Sequence, residues 1–403
     1  MKYLGIEHLR HKLECKRTRV LLRYDFYEMK NREIDFGISS PPNLQYWQSV
    51  SGWGAKAVDS LADRLVFHEF TNDNFNLNEI FQRNNSDVLF DSAILSALIA
   101  SCSFIYISAD ENGYPRMQVI DGSNATGVID PITNLLYEGY AVLERNDKDK
   151  PTLEAYFEPY KTTYIRGDDV WSFGHNVGYP VLVPIINRPD ARRPFGHSRI
   201  SRACMAHIGS ALRTIKRSEI AAEFYSYPQK YVTGLSNDVE GIDKWKATMA
   251  SMITFSKDEE GDHPVIGQFQ ASSMEPHLEQ LRMFASLFGG ETGLTLNDLG
   301  FASGNPESAE AIAASHENLR LTARKAQRQF GSGFLNAGFL AACLRDGQDY
   351  KREQLYSTRP VFEPVFEPDA ATLSQIGDGA IKLNQAIPDF MNKTNLYELT
   401  GIE

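Results

Sequence analysis

The chain is poor in cysteine and in positive charge, and it has no long apolar run. Four cysteines stand in 403 residues, at Cys15, Cys102, Cys204 and Cys343, with no Cys-x-x-Cys pair. Such scattered thiols argue against a disulfide framework or a zinc site, and for reduced thiols in a cytoplasmic setting. Lys and Arg total 41 against 52 Asp and Glu, a net charge of −11. Stable gripping of nucleic-acid phosphate calls for a basic surface, so the balance argues against such binding by the chain as a whole. It suits a surface that stays soluble or repels DNA. The longest apolar stretch, "SAILSALIASCSFIYI" (92–107), falls short of the ~20 residues that span a bilayer. It reads as a buried helix running into a strand, and no membrane segment is expected. The opening "MKYLGIEHLRHKLECKR" is too charged for a signal peptide.

Catalytic signatures are missing too. There is no G-x-x-x-x-G-K-[ST] for ATP phosphates and no H-E-x-x-H for zinc. The nine histidines are dispersed, and the closest pair, His8 and His11, lies in a charged helix that reads as a solvated face. "GHS" (196–198) lacks the second glycine of a nucleophile elbow, and Ser198 is expected to cap a helix instead. Asp168 and Asp169 are paired carboxylates, but neighbours in a strand point to opposite faces and would not converge on a metal. A polar turn is the expected role. No catalytic residue, metal site or cofactor is assigned.

What is present organises the chain as α+β. Leu9 to Lys30 reads as a helix stopped before Pro41 and Pro42. Trp53, Ala57, Leu61 and Leu65 recur every four residues, which predicts a second helix with one buried face. Residues 77–100 predict a further helix or helix pair. Asn112-Gly113 and Asp130-Pro131 mark hairpin turns in a largely antiparallel region over 103–187. Its alternating Tyr156, Tyr160, Tyr164, Trp171 and Phe173 are expected in the core. A long helix from Ser198 to about Tyr227 is ended by Pro228, and a compact α/β segment follows. The helix in "MEPHLEQLRMFASLFGG" is expected to end at Gly289-Gly290.

A glycine-rich loop then leads into "NPESAEAIAASHENLRLTARKAQRQFG". Asn305 is suited to the N-cap and Pro306 to the first helical position. At 1.5 Å per residue the span 306–330 is roughly 37 Å long. Arg320, Arg324 and Arg328 sit four apart and form a row beside an apolar stripe. Such a row faces DNA or an acidic neighbour, or else is a solvated face paired locally with Glu317.

Four segments in order carry a family resemblance: "WGAKAVDSLADRLVF" (53–67), the paired hairpins of "YISADENGYPRMQVIDGSNATGVIDPITNLLYEGYAV", the Gly-x-Ser-opened helix of "PFGHSRISRACMAHIGSALRTIKRSEIAAEFYSYPQKYVTGL", and "HLEQLRMFASLFGGETGLTLNDLGFASGNPESAEAI". Together they resemble the portal proteins of tailed double-stranded DNA bacteriophages over roughly residues 45–345. The resemblance implies a portal-type fold with an antiparallel β-rich wing, long stem helices and a small α/β clip. It places the wing at 1–197, stem helices at 198–227 and 273–290, and the clip at 228–272. The tunnel loop and a long channel or wing helix fall at 291–345, and a C-terminal wing or short crown at 346–403.

The resemblance implies a homo-oligomeric ring, usually of twelve subunits, at one capsid vertex of the virion, assembled in the host cytoplasm. Double-stranded DNA passes through it during packaging and ejection. Terminase, the head–tail adaptor and the major capsid protein would be its partners. On this sequence the tunnel loop would include Thr295, Asn297, Asp298, Phe301 and Ser303. Lys257, Asp258, Glu259, Glu260 and Asp262 would be clip residues facing terminase or the adaptor, and Arg320, Arg324 and Arg328 would face the channel or a neighbouring subunit. The basic group Arg192, Arg193, Arg199, Arg202, Arg213, Lys216 and Arg217 would serve subunit and capsid contacts. Two other readings stay open: a metal-dependent nuclease using Asp168 and Asp169, and a capsid adaptor or scaffold that does not contact DNA.

Overall fold

The computed structural model describes residues 3–32, 47–226, 230–233, 265–268, 273–301, 314–366 and 370–400. It divides into two compact units, one of residues 1–31, 52–205 and 290–403, the other of residues 32–51 and 206–289.

The first unit begins with α1 (Ile6–Tyr27), which buries Leu9, Leu13 and Val20. After α2 (Trp53–Ala62), β1 (Phe67–Thr71), α3 (Leu77–Gln82) and α4 (Ser86–Ala100) come eight strands: β2 (Cys102–Ala109), β3 (Pro115–Asp121), β4 (Ala125–Ile129), β5 (Leu136–Arg145), β6 (Pro151–Glu158), β7 (Lys161–Arg166), β8 (Asp169–Gly174) and β9 (Leu182–Ile186). They form a five-stranded antiparallel meander, β4-β5-β6-β7-β8, and a three-stranded sheet, β3-β2-β9. The α+β expectation and the antiparallel region over 103–187 are met. Both turn signals act as expected. Asp110 Oδ1 accepts from the backbone N–H of Asn112 and of Tyr114, with Gly113 at φ 79°. Asp130 Oδ1 accepts from Ile132 N–H and Oδ2 from the Thr133 hydroxyl.

Leu9 and Leu13 of α1 pack on Tyr140 and Val142 of β5. Glu138, 1% exposed, accepts from the N–H groups of Leu4 and Gly5 and from the Tyr156 hydroxyl. A carboxylate is thereby held at the positive end of the α1 dipole. Along the same helix, Lys12 and Lys16 donate to the carbonyls of Gly127 and Ala125, each at 2.7 Å. Those carbonyls belong to β4, the edge strand, so two lysines close one edge of the meander. At the other edge all six residues of β8 are exposed. Here the expected aromatic core is corrected: Phe173 is 62% and Tyr160 54% exposed, Trp171 is exposed, and Tyr156 and Tyr164 are half-buried. Trp171 and Phe173 meet the Tyr164 ring of β7 yet remain exposed, so alternation there produces a solvent-facing aromatic surface.

The centre of this unit is a phenylalanine cluster. Phe67 lies 4.2 Å from Phe90, 4.9 Å from Phe70, 5.8 Å from Phe334 and 5.2 Å from Phe362, ring centre to ring centre. Phe334 comes from α7 (Glu317–Asp346) and Phe362 from β12 (Arg359–Phe362), which pairs antiparallel with β1. The expected helix stripe of Leu319, Ala323, Ala326 and Phe330 is buried, but the helix runs on to Asp346. The glycines of "GSG" do not stop it. A Cβ on Gly331 would come within 2.6 Å of the Pro360 ring, and one on Gly333 within 2.9 Å of Ile185. Close approach of the rigid Pro360 ring requires glycine at 331, whereas at 333 the neighbour is the movable end of the Ile185 side chain. The proposed cap at Asn305-Pro306 lies outside the described residues.

The second unit holds residues 206–226 of α5 (Arg202–Ser226), the antiparallel pair β10 (Lys230–Thr233) and β11 (Val265–Gln268), and residues 275–289 of α6 (Glu275–Thr292). Ala211 and Leu212 are buried on α5, Ala285 and Phe288 on α6, and Thr214 donates to Gln280 across the two helices. Most of the expected compact α/β segment, residues 234–264, lies outside the described residues. Two helix ends differ from expectation. Ser198 does not cap α5; its hydroxyl donates to the Ile99 carbonyl, and Ser201 accepts from Cys204 N–H in the capping role. Helix α6 passes through Gly289-Gly290 to Thr292 and ends at Gly293, which takes the left-handed φ of 72°. Beyond β12, α8 (Ala370–Ala386) matches expectation and α9 (Lys393–Thr400) follows. No described helix is long and apolar enough to cross a membrane.

Candidate channel loop and arginine face

The loop after α6 is a tight hydrogen-bonded turn up to Phe301. Asp298 Oδ2 accepts from the Thr295 N–H at 2.8 Å and from its hydroxyl at 2.9 Å, and Thr295 Oγ1 accepts from the Asp298 N–H. This is the reciprocal arrangement of a capping box. Phe301 N–H and Leu299 N–H both donate to the Leu296 carbonyl, and Gly300 holds φ 90°. Leu294 and Leu299 are buried beneath the turn, while Leu296, Asn297 and Gly300 stand exposed. Asp298 also lies 3.8 Å from the His316 ring at the start of α7. Thr295, Asn297, Asp298 and Phe301 are thus gathered in one turn; Ser303 lies outside the described residues. The T-x-x-D spacing was the sequence signal for this order.

Of the arginine row, Arg320 is answered within the chain. Its Nε and a terminal nitrogen donate to Glu317, each at 2.7 Å. Arg324 and Arg328 are exposed and pair with no carboxylate of the described residues. They line a groove of about 1080 Å³ between α7 and residues 359–366. Lys325 and Arg359 add two more cations, and Glu363 is the single carboxylate in the lining. Glu317 therefore hydrogen-bonds Arg320 and also feels the charge of Arg324, while no such contact reaches Arg328 among the described residues.

Arg199 leaves the basic group expected to serve contacts. It is 7% exposed, its Nε donates to the Ala57 carbonyl at 3.1 Å, and a terminal nitrogen donates to the Thr292 carbonyl. It satisfies the orphan carbonyl at the end of α6 and ties that end to α2. Burial pushes its guanidinium down to about 10, against the pull of Cys204, and the like charge of Arg188 adds to the shift. Nearby, Asp190 accepts from His197 at 2.5 Å and from the N–H groups of Arg192 and Arg193, which orders the linker. The His197 contact is the largest cause that holds its carboxyl down at about 2. Lys216 is also buried, at 4% exposure.

Asp168 sits in the exposed β7–β8 turn beside Gly167 (φ 61°), and Asp169 begins β8 opposite Arg166. They occupy a hairpin tip, as the sequence implied. Among the described residues no three His, Cys, Asp or Glu side chains gather in a way that could hold a metal. Lys257, Asp258, Glu259, Glu260 and Asp262, which the resemblance assigns to the clip, lie outside the described residues.

No family model matches the chain. Two curated proteins are similar over nearly all of it. The portal protein of Mycobacterium phage L5 is 25% identical over 384 residues, covering 89% of this chain and 77% of that protein. The portal protein of Mycobacterium phage D29 is 25% identical over 383 residues with the same coverage. Among solved structures, a chain from the neck of a native gene transfer agent particle, computed with C12 symmetry, aligns at TM-score 0.46 with 15% identity, covering 95% of this chain and 99% of that one. A chain from the virion of a native gene transfer agent particle gives TM-score 0.46 and 13% identity over 87% and 90%. The likeness read from four sequence segments is thus borne out by two relatives of known name: by sequence, the chain is a relative of phage portal proteins.

Proposed function

We propose that the chain is a portal subunit: copies assemble into a closed ring, most often of twelve, at one vertex of a phage capsid, and double-stranded DNA passes through the central channel. The observation that carries this is the similarity to two portal proteins along 89% of the chain. In this reading residues 1–197 form the wing, 198–227 and 273–290 the stem, 228–272 the clip, and 346–403 a C-terminal wing or short crown. The clip meets terminase and later the head–tail adaptor, and the wing meets the major capsid protein.

The physics of a conduit supports the reading. Each phosphate neutralised adds salt-dependent affinity, so a strongly basic lining would act as a brake. A chain of net charge −11 with a few placed arginines avoids this. The turn at 294–301 presents Leu296 and Asn297 outward from a rigid, buried base, which suits a loop that meets a moving duplex. The work of translocation belongs to a separate ATPase, and the chain itself is structural rather than catalytic. Twelve chains of 45.3 kDa give a ring of roughly half a megadalton. Light scattering and negative-stain microscopy test for it: a ring with a central hole is expected. A monomer that cleaves DNA when magnesium is added would replace this reading with the nuclease.

A further inference from the structure

The groove beside α7 is an anomaly in an acidic protein. Arg324, Lys325, Arg328 and Arg359 rim it without a carboxylate partner among the described residues. Its lining is also apolar, with Leu321 52% and Phe366 38% exposed beside Phe362. Exposed apolar surface within a predominantly positive rim, with Glu363 its single carboxylate, is the anatomy of a protein contact, an apolar centre with a polar rim. A DNA backbone offers phosphates but no apolar knob to fill such a centre.

The same unit carries the complementary surface. On α4, Val88 is 62% exposed, and Asp87 and Asp91 are exposed beside it on the solvent side of the helix. Asp87 and Asp91 sit four residues apart, so both carboxylates and the valine share one helical face. Neither aspartate forms an ion pair among the described residues. Burial first, and then the like charges of Asp87 and Asp63, raise the carboxyl of Asp91. An exposed valine beside two acids therefore complements, in sign and polarity, an apolar groove beside arginines.

We infer that the α7 groove of one copy receives the Asp87–Val88–Asp91 face of the next copy, as a head-to-tail contact. A heterologous contact of this kind closes into a ring when its rotation divides the circle. The inference rests on the portal reading and deepens it: the arginine row is a subunit contact rather than a channel lining. Opposite charges set the order of copies and suppress the head-to-head pairing that two like-charged grooves would need.

The test is a charge-swap complementation read by light scattering, with circular dichroism on each variant to establish folding. Wild type forms the large ring. Arg324→Glu/Arg328→Glu should stay folded and lose the ring, as should Asp87→Arg/Asp91→Arg. Mixed in equal amounts, the two variants should regain the ring, because each reversed groove then meets a reversed knob in an alternating closed array. Rings formed by either variant alone would overturn the contact, as would folded variants that fail to complement. If the R324E/R328E variant still forms rings but loses DNA packaging, the arginines face the channel instead. A wild-type chain that never assembles would overturn the portal reading itself, a result distinct from any of these.

Discussion

Lys16 donates its ammonium to the carbonyl of Ala125 at 2.7 Å, one turn along α1 from the matching bond between Lys12 and Gly127. These two bonds seal the β4 edge of a meander whose other edge, β8, is open. Replacing both lysines with serine should expose the edge and leave two carbonyls without their donors. About 1–2 kcal/mol of stability should be lost in urea unfolding, together with a greater tendency to aggregate. Phe173→Lys on β8 should leave the unfolding midpoint nearly unchanged, because that side chain is 62% exposed.

Arg199 gives the sharpest expectation for stability. Arg199→Met would remove the donors to the carbonyls of Ala57 and Thr292 while keeping the side-chain bulk. Losing these two charge-assisted hydrogen bonds should cost about 1–3 kcal/mol, measured by denaturant titration. Arg199→Lys should recover only part of this, since an ammonium cannot span two divergent carbonyls with a planar fork.

Two helical glycines should respond in opposite ways. Gly331→Ala places a methyl 2.6 Å from the rigid Pro360 ring, which should destabilise by about 1–3 kcal/mol. Gly290→Ala meets nothing within 4 Å in α6, so better helix propensity should stabilise by about 0.5–1 kcal/mol. Thermal melts of the two variants on one scan compare them directly.

The linker should depend on pH in the acid range. The Asp190 carboxyl is held at about 2 in the folded chain, chiefly by His197, against an ordinary value of 3.8. A depressed carboxyl contributes its stability above the ordinary value and loses it as pH falls through the folded one. The order of residues 187–197 should therefore be full above pH 4 and fade toward pH 2. Asp190→Asn should remove that acid transition, seen by hydrogen exchange of the Arg192 and Arg193 amides.

Much of this was legible in the sequence because period and turn chemistry are local. The hairpins at Asp110-Gly113 and Asp130 and the stripe Leu319–Phe330 follow from side chains a few residues apart. The errors arise where a distant partner decides. The β12 strand forms because β1 pairs with it from almost 300 residues away, and "VFEP" alone gives no sign of this. Ser198 looked like a cap, but Ile99 claims its hydroxyl. Gly331 sits inside α7, and only the close approach of the Pro360 ring from the distant β12 explains it. Trp171 and Phe173 alternate like core residues on an exposed edge strand whose rings meet only the neighbouring Tyr164 among the described aromatic contacts. In the candidate site, the arginine spacing was visible from sequence. That Arg324, Arg328 and Arg359 share one groove with a single carboxylate, Glu363, required the packing of α7 against residues 359–366.

The central claim is that this chain closes into a ring around DNA, and particle mass with symmetry measures it most directly. Light scattering and class averages of the purified wild-type chain should show a ring of roughly half a megadalton with an open centre. A homogeneous monomer at every concentration, with no ring in any class, would contradict the account.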